Sequence, residues 1–364
     1  MLTHLANLQL ISRLHSLFNF YKSFEWGNYQ KCEALMTTEL LTPDTVLAYL
    51  ISKGIISPDE TAEVEVLTGG VSNIVLAITT AHKKMVLKQA LAELKVAQKW
   101  EADQRRAIVE AHAIELFHRL SPDKVPALLF LDSQRFILIL ERVPIGSSVW
   151  KTDLLHGQID PHVASVLGTT LAQWHNFGQE NENARTQFME DSLFEQLRID
   201  PFYRFVSTKN ELLTPVIARL IDELESDKTT IVHGDFSPKN MMVDADNQVY
   251  ILDFEVTHVG NPIFDLAFLL AHLLCKTFRT DDATEKELLS ECANQFVASY
   301  QVIRPIAPSL TLHTALIALA RVEGKSPVDY LDKDKQNALV AYTKDNLSKG
   351  VEMPIVEFFQ RSHQ

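Results

Sequence analysis

Apolar residues fall at every second position through Val64 and Val66, then Ile74, Leu76 and Ile78, then Met85 and Leu87, with short polar stretches between the three runs. A period of two puts those side chains on one face of a strand, so the chain from Glu63 onward reads as an antiparallel meander with one buried face. A helical pattern follows over about 101–120, closed by Ser121-Pro122, and two further strands, about 127–132 and 135–141, flank Asp132-Ser133-Gln134. Three strands, a helix and two strands make a small α+β lobe over 61–143, and Pro144-Ile145-Gly146 reads as the connection out of it.

The remainder, 144–364, is mainly helical, with helices near 161–177, 211–226, 262–277, 284–302, 309–323 and 334–347. A β-rich island at 229–232, 241–244 and 248–252 interrupts them. Ahead of the meander, residues 1–60 read as a helical extension. In it Thr42-Pro43-Asp44-Thr45 and Val46, Leu47, Leu50 and Ile51, closed by Gly54, form a capped amphipathic helix. Residues 1–35 read as an accessory helix or as sequence upstream of a start at Met36. They lack the basic start, unbroken apolar core and small-residue cleavage site of a signal peptide.

The chain has 364 residues, 46% of them apolar and 22% charged, which excludes disordered and collagen-like classes. Its 34 Lys+Arg against 47 Asp+Glu give a net charge of −13, which works against nucleic acid or an anionic membrane as a partner. Cys32, Cys275 and Cys292 are scattered, as expected for reduced thiols in the cytoplasm. The longest apolar stretch, 263–275, contains Asp265 and His272 and is too short to span a bilayer.

The island carries the densest chemistry: Ile231-Val232-His233-Gly234-Asp235-Phe236-Ser237-Pro238-Lys239-Asn240, then Tyr250-Ile251-Leu252-Asp253-Phe254-Glu255. In each half an apolar strand delivers an Asp to a loop, and a short hairpin brings the loops together. Asp235, Asn240 and Asp253 would then converge as hard oxygen ligands of the kind Mg²⁺ takes together with water and substrate phosphates. As single residues they also read as turn-formers and a strand-end cap. Leu67-Thr68-Gly69-Gly70-Val71-Ser72-Asn73 holds the only Gly-Gly pair among 12 glycines, and a turn of that kind either closes a hairpin or lets backbone approach phosphate. Lys88, inside the apolar run Met85-Val86-Leu87-Lys88-Gln89, must set its ammonium against an anion or in water. Glu110 lies twenty-two residues on, in the helix. A Lys–Glu pair holding an ammonium against nucleotide phosphates is what phosphoryl transfer asks for.

Together these residues resemble the aminoglycoside phosphotransferase and choline kinase group, small-molecule kinases with a two-lobed, protein-kinase-like α+β fold, over about residues 60–330. The resemblance implies ATP and Mg²⁺ as cofactors and a small-molecule hydroxyl as acceptor. It makes Asp235 the catalytic base, Asn240 and Asp253 the metal ligands, and Glu255 a second-metal or substrate contact. Lys88 and Glu110 become the phosphate-orienting pair, with Gly69, Gly70, Ser72 and Asn73 over the nucleotide. The strand end Glu141-Arg142-Val143 becomes the hinge whose backbone holds adenine, and Asp265 a carboxylate bracing the catalytic loop. The chain has no G-x-G-x-x-G, His-Arg-Asp or Ala-Pro-Glu, which disfavours a protein substrate. The glycine turn and Asp-x-Glu at 253–255 are similar to methylthioribose kinase, which commonly has Ser where Asn240 stands. A sugar kinase, an amino-alcohol kinase, an antibiotic kinase and a nucleotide-binding regulatory pseudokinase stay open. Arg321, Lys325, Trp150 and Trp174 are the candidates for acceptor contact, against helix-end cations and core tryptophans as the plainer reading. An acidic pocket would favour a cationic acceptor, and a pocket containing Arg321 a sugar or an acid.

Overall fold

The period-two residues line up across the sheet. In the computed structural model strand β1 (Ala62–Val66) pairs with β2 (Asn73–Thr80) and β2 with β3 (Lys84–Ala90), all antiparallel. The register sets Val64 opposite Ile78 and Ile78 opposite Met85, and Leu76 opposite Leu87. The structure describes residues 39–67, 70, 72–93 and 102–363. The chain divides into two units between Leu40 and Leu41, and all that follows concerns the second.

Helix α1 (Pro43–Ser52) covers one face of the sheet. Its Val46, Tyr49 and Leu50 share an apolar cluster with Leu76, Ile78, Met85 and Leu87. Thr42 and Thr45 cap it reciprocally, and Tyr49 Oη donates to Asp132 at 3.0 Å. From β3 the chain passes through α2 (Arg106–Leu120) to β4 (Leu128–Asp132) and returns as β5 (Ile137–Glu141), giving the order β1-β2-β3-β5-β4. The strand bearing Lys88 is therefore central, β5 lies beside it, and β1 is an edge. Ala111, Ile114 and Phe117 of α2 join Ala90, Leu138 and Leu140 in the larger apolar cluster.

The helices follow the sequence pattern closely: α3 (Pro161–Glu180), α4 (Thr214–Ser226), α5 (Ile263–Arg279), α6 (Ala283–Gln301), α7 (Leu310–Glu323) and α8 (Lys333–Lys349). Asp160, Asp282 and Asp332 accept from first-turn backbone N–H groups and fix three of the starts. Every residue of α5 from Ile263 to Thr277 is buried, the polar Asp265, His272 and Lys276 included. Between α3 and α4 the sequence has no clean period, and there the chain forms short helical pieces around a π-helical segment, Glu195–Arg204, with Pro201 inside it. No helix among the described residues is long and apolar enough to cross a membrane.

The island contains more pairing than its pattern suggested. β8 (Met241–Val243) and β9 (Val249–Ile251) form the hairpin, extended by β6 (Ser148–Val149), while β7 (Thr230–Val232) pairs with β10 (His258–Gly260). Two loops, 233–240 and 252–257, leave these strands side by side.

Four buried histidines, His175, His233, His258 and His272, all have their pKa lowered by burial, His258 to about 4. His258 donates from Nδ1 to Val256 O at 2.9 Å and stacks on Phe194. The folded state keeps it neutral while the unfolded chain protonates near 6.5, so its share of stability is complete above about pH 6.5 and is lost progressively down to about 4. We expect the unfolding free energy, measured by denaturant titration, to fall below pH 6.5 by up to about 1.4 kcal/mol per pH unit for each such histidine. His258→Gln should make the fall shallower by about one proton; an unchanged slope would contradict the assignment.

Candidate functional site

The 233–240 loop is held by one buried carboxylate. Asp265, in the first turn of α5, accepts from the backbone N–H of His233 at 2.7 Å and of Gly234 at 2.8 Å. His175 Nε2 donates to the same carboxylate at 3.2 Å, and Tyr300 Oη donates to His175 Nδ1 at 2.8 Å. Burial works against the Asp265 charge, yet these donors hold its carboxyl below the usual range. Gly234 has φ of 76°, and a Cβ there would meet Val256 O at 2.5 Å, so only glycine fits the turn. His233 Nδ1 accepts from Asp235 N–H at 3.2 Å, while its Nε2 donates to Leu252 O at 3.1 Å, which ties the two loops together through a neutral ring.

Asp235 is 1% exposed. Its Oδ2 accepts from Asn240 Nδ2 at 2.9 Å, Lys239 Nζ at 2.9 Å and Arg198 Nη2 at 3.1 Å, whereas its Oδ1 is buried without a partner. Burial raises the pKa of this carboxyl, and Arg198 and Lys239 outweigh it, so the group is ionised. Arg198 comes from the π-helical segment and also donates to Gly234 O at 2.8 Å. Asn240 donates to Asp235 O as well, which leaves its carboxamide oxygen as the remaining acceptor.

Asp253 sits at φ 69°, an uncommon conformation for a residue with a Cβ. Lys88 Nζ lies 2.7 Å from Asp253 Oδ1 and 2.5 Å from Glu110 Oε1. Burial opposes all three charges. The two carboxylates nonetheless raise the Lys88 pKa, and Lys88 holds Asp253 well below the usual carboxylate range. Glu110, the most enclosed of the three, is pushed up by burial against the pull of Lys88. Glu255, also raised by burial, receives Arg106 Nε at 3.2 Å. Arg106 is 1% exposed and donates further to Ser72 O at 2.5 Å and Leu91 O at 2.7 Å, so it ties the Ser72 turn to the Asp253 loop.

The remaining expected residues fall as follows. Asn73 Nδ2 donates to Ser72 Oγ at 3.0 Å, Gly70 has open space around its Cα, and Gly69 lies outside the described residues. Glu141 is the exposed last residue of β5, opposite Met85, and Val143 follows where the chain leaves the sheet. Lys325 forms an exposed pair with Asp200 at 2.6 Å, and Trp174 is core, its Nε1 donating to Ser121 Oγ at 2.9 Å. Trp150 Nε1 and Arg321 Nε are buried without a partner. Arg106, Arg198 and Lys239 are site residues that pattern reading missed, although Arg106 stands one turn before Glu110 on the same helix face.

Among the described residues no three His, Cys, Asp or Glu side chains cluster as a preassembled metal site. Asp253, whose side chain is 21% exposed, and Asn240 offer one carboxylate and one carboxamide oxygen. That donor set fits Mg²⁺, which keeps most of its shell for water and phosphate.

A sequence model of the phosphotransferase enzyme family matches residues 63–310. Methylthioribose kinase of Bacillus cereus (strain G9842) is 24% identical over 275 residues, covering 66% of this chain and 68% of that protein. The methylthioribose kinase of Bacillus mycoides (strain KBAB4) is 22% identical over the same span and shares. An amicoumacin kinase solved with AMP-PNP, Ca²⁺ and its antibiotic superposes with TM-score 0.54 at 15% identity, covering 88% of this chain and 99% of that one. A choline/ethanolamine kinase family protein from Mesorhizobium loti gives 0.50 at 16%, covering 88% and 98%. The fold is the two-lobed α+β one of these protein-kinase-like small-molecule kinases.

Because Asp265 satisfies two buried backbone donors and a buried histidine, Asp265→Ala should destabilise the protein by roughly 3–5 kcal/mol in denaturant titration. Asp265→Asn, which keeps one acceptor oxygen, should cost less. Equal stability of wild type and Asp265→Ala would show that the loop is held by something else.

Proposed function

This chain belongs to the phosphotransferase enzyme family and is a small-molecule kinase acting on hydroxyl acceptors; from that premise we propose that it moves the γ-phosphoryl group of ATP, with Mg²⁺, to a hydroxyl of a small molecule. The observation that carries this reading is the Lys88 ammonium bound at once to Glu110 and Asp253, beside an Asp235 that keeps one oxygen free. In it, residues 61–143 bind the nucleotide and 144–364 the acceptor, and the buried free thiols of Cys275 and Cys292 suit a cytoplasmic enzyme.

Asp235 Oδ1 is the open acceptor to which an incoming hydroxyl can donate. As that oxygen bonds to the γ-phosphorus and the bond to the leaving ADP oxygen breaks, its proton passes to Asp235. Arg198, Lys239 and Asn240 occupy the other carboxylate oxygen and so fix which one faces the substrate. Lys88, kept charged and aimed by Glu110, meets phosphate oxygens, a role that asks for positioned charge more than covalent work. Asp253 and Asn240, with Glu255 behind them, would hold Mg²⁺, which supplies charge neutralisation for the phosphates when bound. Gly70, Ser72 and Asn73 cover the nucleotide, and the backbone of 141–143 holds the base.

A coupled ADP-release assay over sugars, amino alcohols, hydroxy acids and aminoglycosides tests the activity directly. Asp235→Asn should lower kcat by about 10²–10⁴ with nucleotide affinity nearly intact. Lys88→Met should raise KM for ATP as well as lower kcat. Full turnover by Asp235→Asn on the preferred acceptor would remove the base assignment.

A further inference from the structure

Helix α5 carries a polar and aromatic stripe through its apolar body: Asp265, Phe268, His272 and Lys276, spaced three or four residues apart on one face. The stripe starts at the catalytic loop and leads away from it. Arg198, paired with Asp235, lies over the Phe268 ring at 5.5 Å. Phe268 meets Phe202 at 5.6 Å and His272 at 5.3 Å, and Arg321 of α7 lies 5.6 Å over Phe202. Farther along, Lys276 and Lys151 both face the Tyr330 ring, at 5.3 and 5.6 Å. Lys151 belongs to a short helix, Trp150–Leu155, that packs against the Pro238–Asn240 turn of the catalytic loop.

Polar atoms along this path lack partners. Trp150 Nε1, His272 Nε2, Arg321 Nε and Tyr330 Oη, with Asp235 Oδ1 and Ser237 Oγ, are six of the eight such buried side-chain atoms among the described residues. Native structures leave few such atoms, so a group of them along one path calls for polar partners there, water or the polar groups of a ligand. The charges say which kind. Lys276 is 1% exposed and reaches only His272 O, at 3.3 Å, and Arg321 reaches only Ser326 Oγ, at 3.2 Å. No carboxylate among the described residues pairs with either. Burial, together with the nearby Lys151, Arg321 and Arg279, pushes the Lys276 ammonium down to about 7. Lys151 has only the exposed Asp329, at 3.8 Å.

We propose that this cluster is the acceptor subsite of the kinase reading above and that it selects a small hydroxyl compound carrying an acid group, a carboxylate or a phosphate ester, over an amine. The acid group sits between Lys276 and Arg321, and the reacting hydroxyl reaches Asp235 Oδ1. Trp150, His272 and Tyr330 bond the remaining oxygens. A buried cation without a counterion is unfavourable, and an anionic substrate removes that penalty where an ammonium would add to it.

The test is ADP release with Mg·ATP on matched acceptors that differ at one group: an aldose, its aldonic acid, its phosphate ester and its amino sugar, with choline and an aminoglycoside beside them. The acid or the phosphate ester should exceed the neutral and amino compounds in kcat/KM by about tenfold or more, and those two arms separate carboxylate from phosphate. Lys276→Met and Arg321→Met should each raise KM for that acceptor about tenfold with KM for ATP unchanged. Arg321→Lys should recover part of the loss. Lys276→Met should not lower the thermal midpoint, because it deletes an unpaired buried charge; a lysine with a structural role would lower it. Best turnover on an amine or a neutral sugar, or an acceptor KM unmoved by both Met variants, overturns the proposal and leaves the kinase reading standing. Failure to bind Mg·ATP at all would overturn both.

Discussion

One ammonium joins three parts of the chain that are far apart in sequence. Lys88 on the central strand bonds Glu110, 22 residues on, and Asp253, 165 residues on. Each partner would be unfavourable alone, since a buried carboxylate or ammonium loses hydration that only another charge or a full set of hydrogen bonds restores. The junction therefore fixes how sheet, helix and loop sit around the site, because separating any one of them leaves uncompensated charge. Arg106 repeats the arrangement one helical turn earlier with Glu255 and the Ser72 turn.

Asp265 does for the acidic loop what Lys88 does for the sheet. Its carboxylate replaces the strand partners that His233 and Gly234 lose when β7 ends, so the loop is set before any substrate arrives. Arg198 then closes the same loop from the other side, bonding Gly234 O and Asp235. The polar groups of this region fall into two sets. Those that hold backbone are paired, and several of those buried along α5, such as His272 Nε2, are not.

The helices were legible within a few residues because each has an apolar period of its own and three have an Asp at the start. Strand order was not: β4 and β5 look alike in the sequence, and only three-dimensional packing puts β5 beside β3. The site's carboxylates were legible because apolar strands lead into them. Arg198 was not, since it lies in a π-helical stretch with no period to read. The left-handed turn at Asp253 leaves no trace either, because its residue type is ordinary there. Lys276 and His272 did leave one, as polar interruptions of a buried helix, but their meaning depended on α7 and Tyr330 standing opposite.

The edge position of β1 has a consequence for how copies of this chain meet. An outer strand exposes unpaired backbone groups and invites another strand to add to it. Here the strand reads Ala62-Glu63-Val64-Glu65-Val66, with Glu63 and Glu65 exposed on the side away from the apolar row and Glu65 already paired with Arg142 at 3.0 Å, which leaves Glu63 as the carboxylate facing outward. A second copy adding along that edge would bring like carboxylates within a few ångströms of each other, at a free-energy penalty that grows as salt is withdrawn. Among the described residues β1 ends the sheet, so Glu63, one of the carboxylates behind the net charge of −13, guards that margin at a place remote from the chemistry.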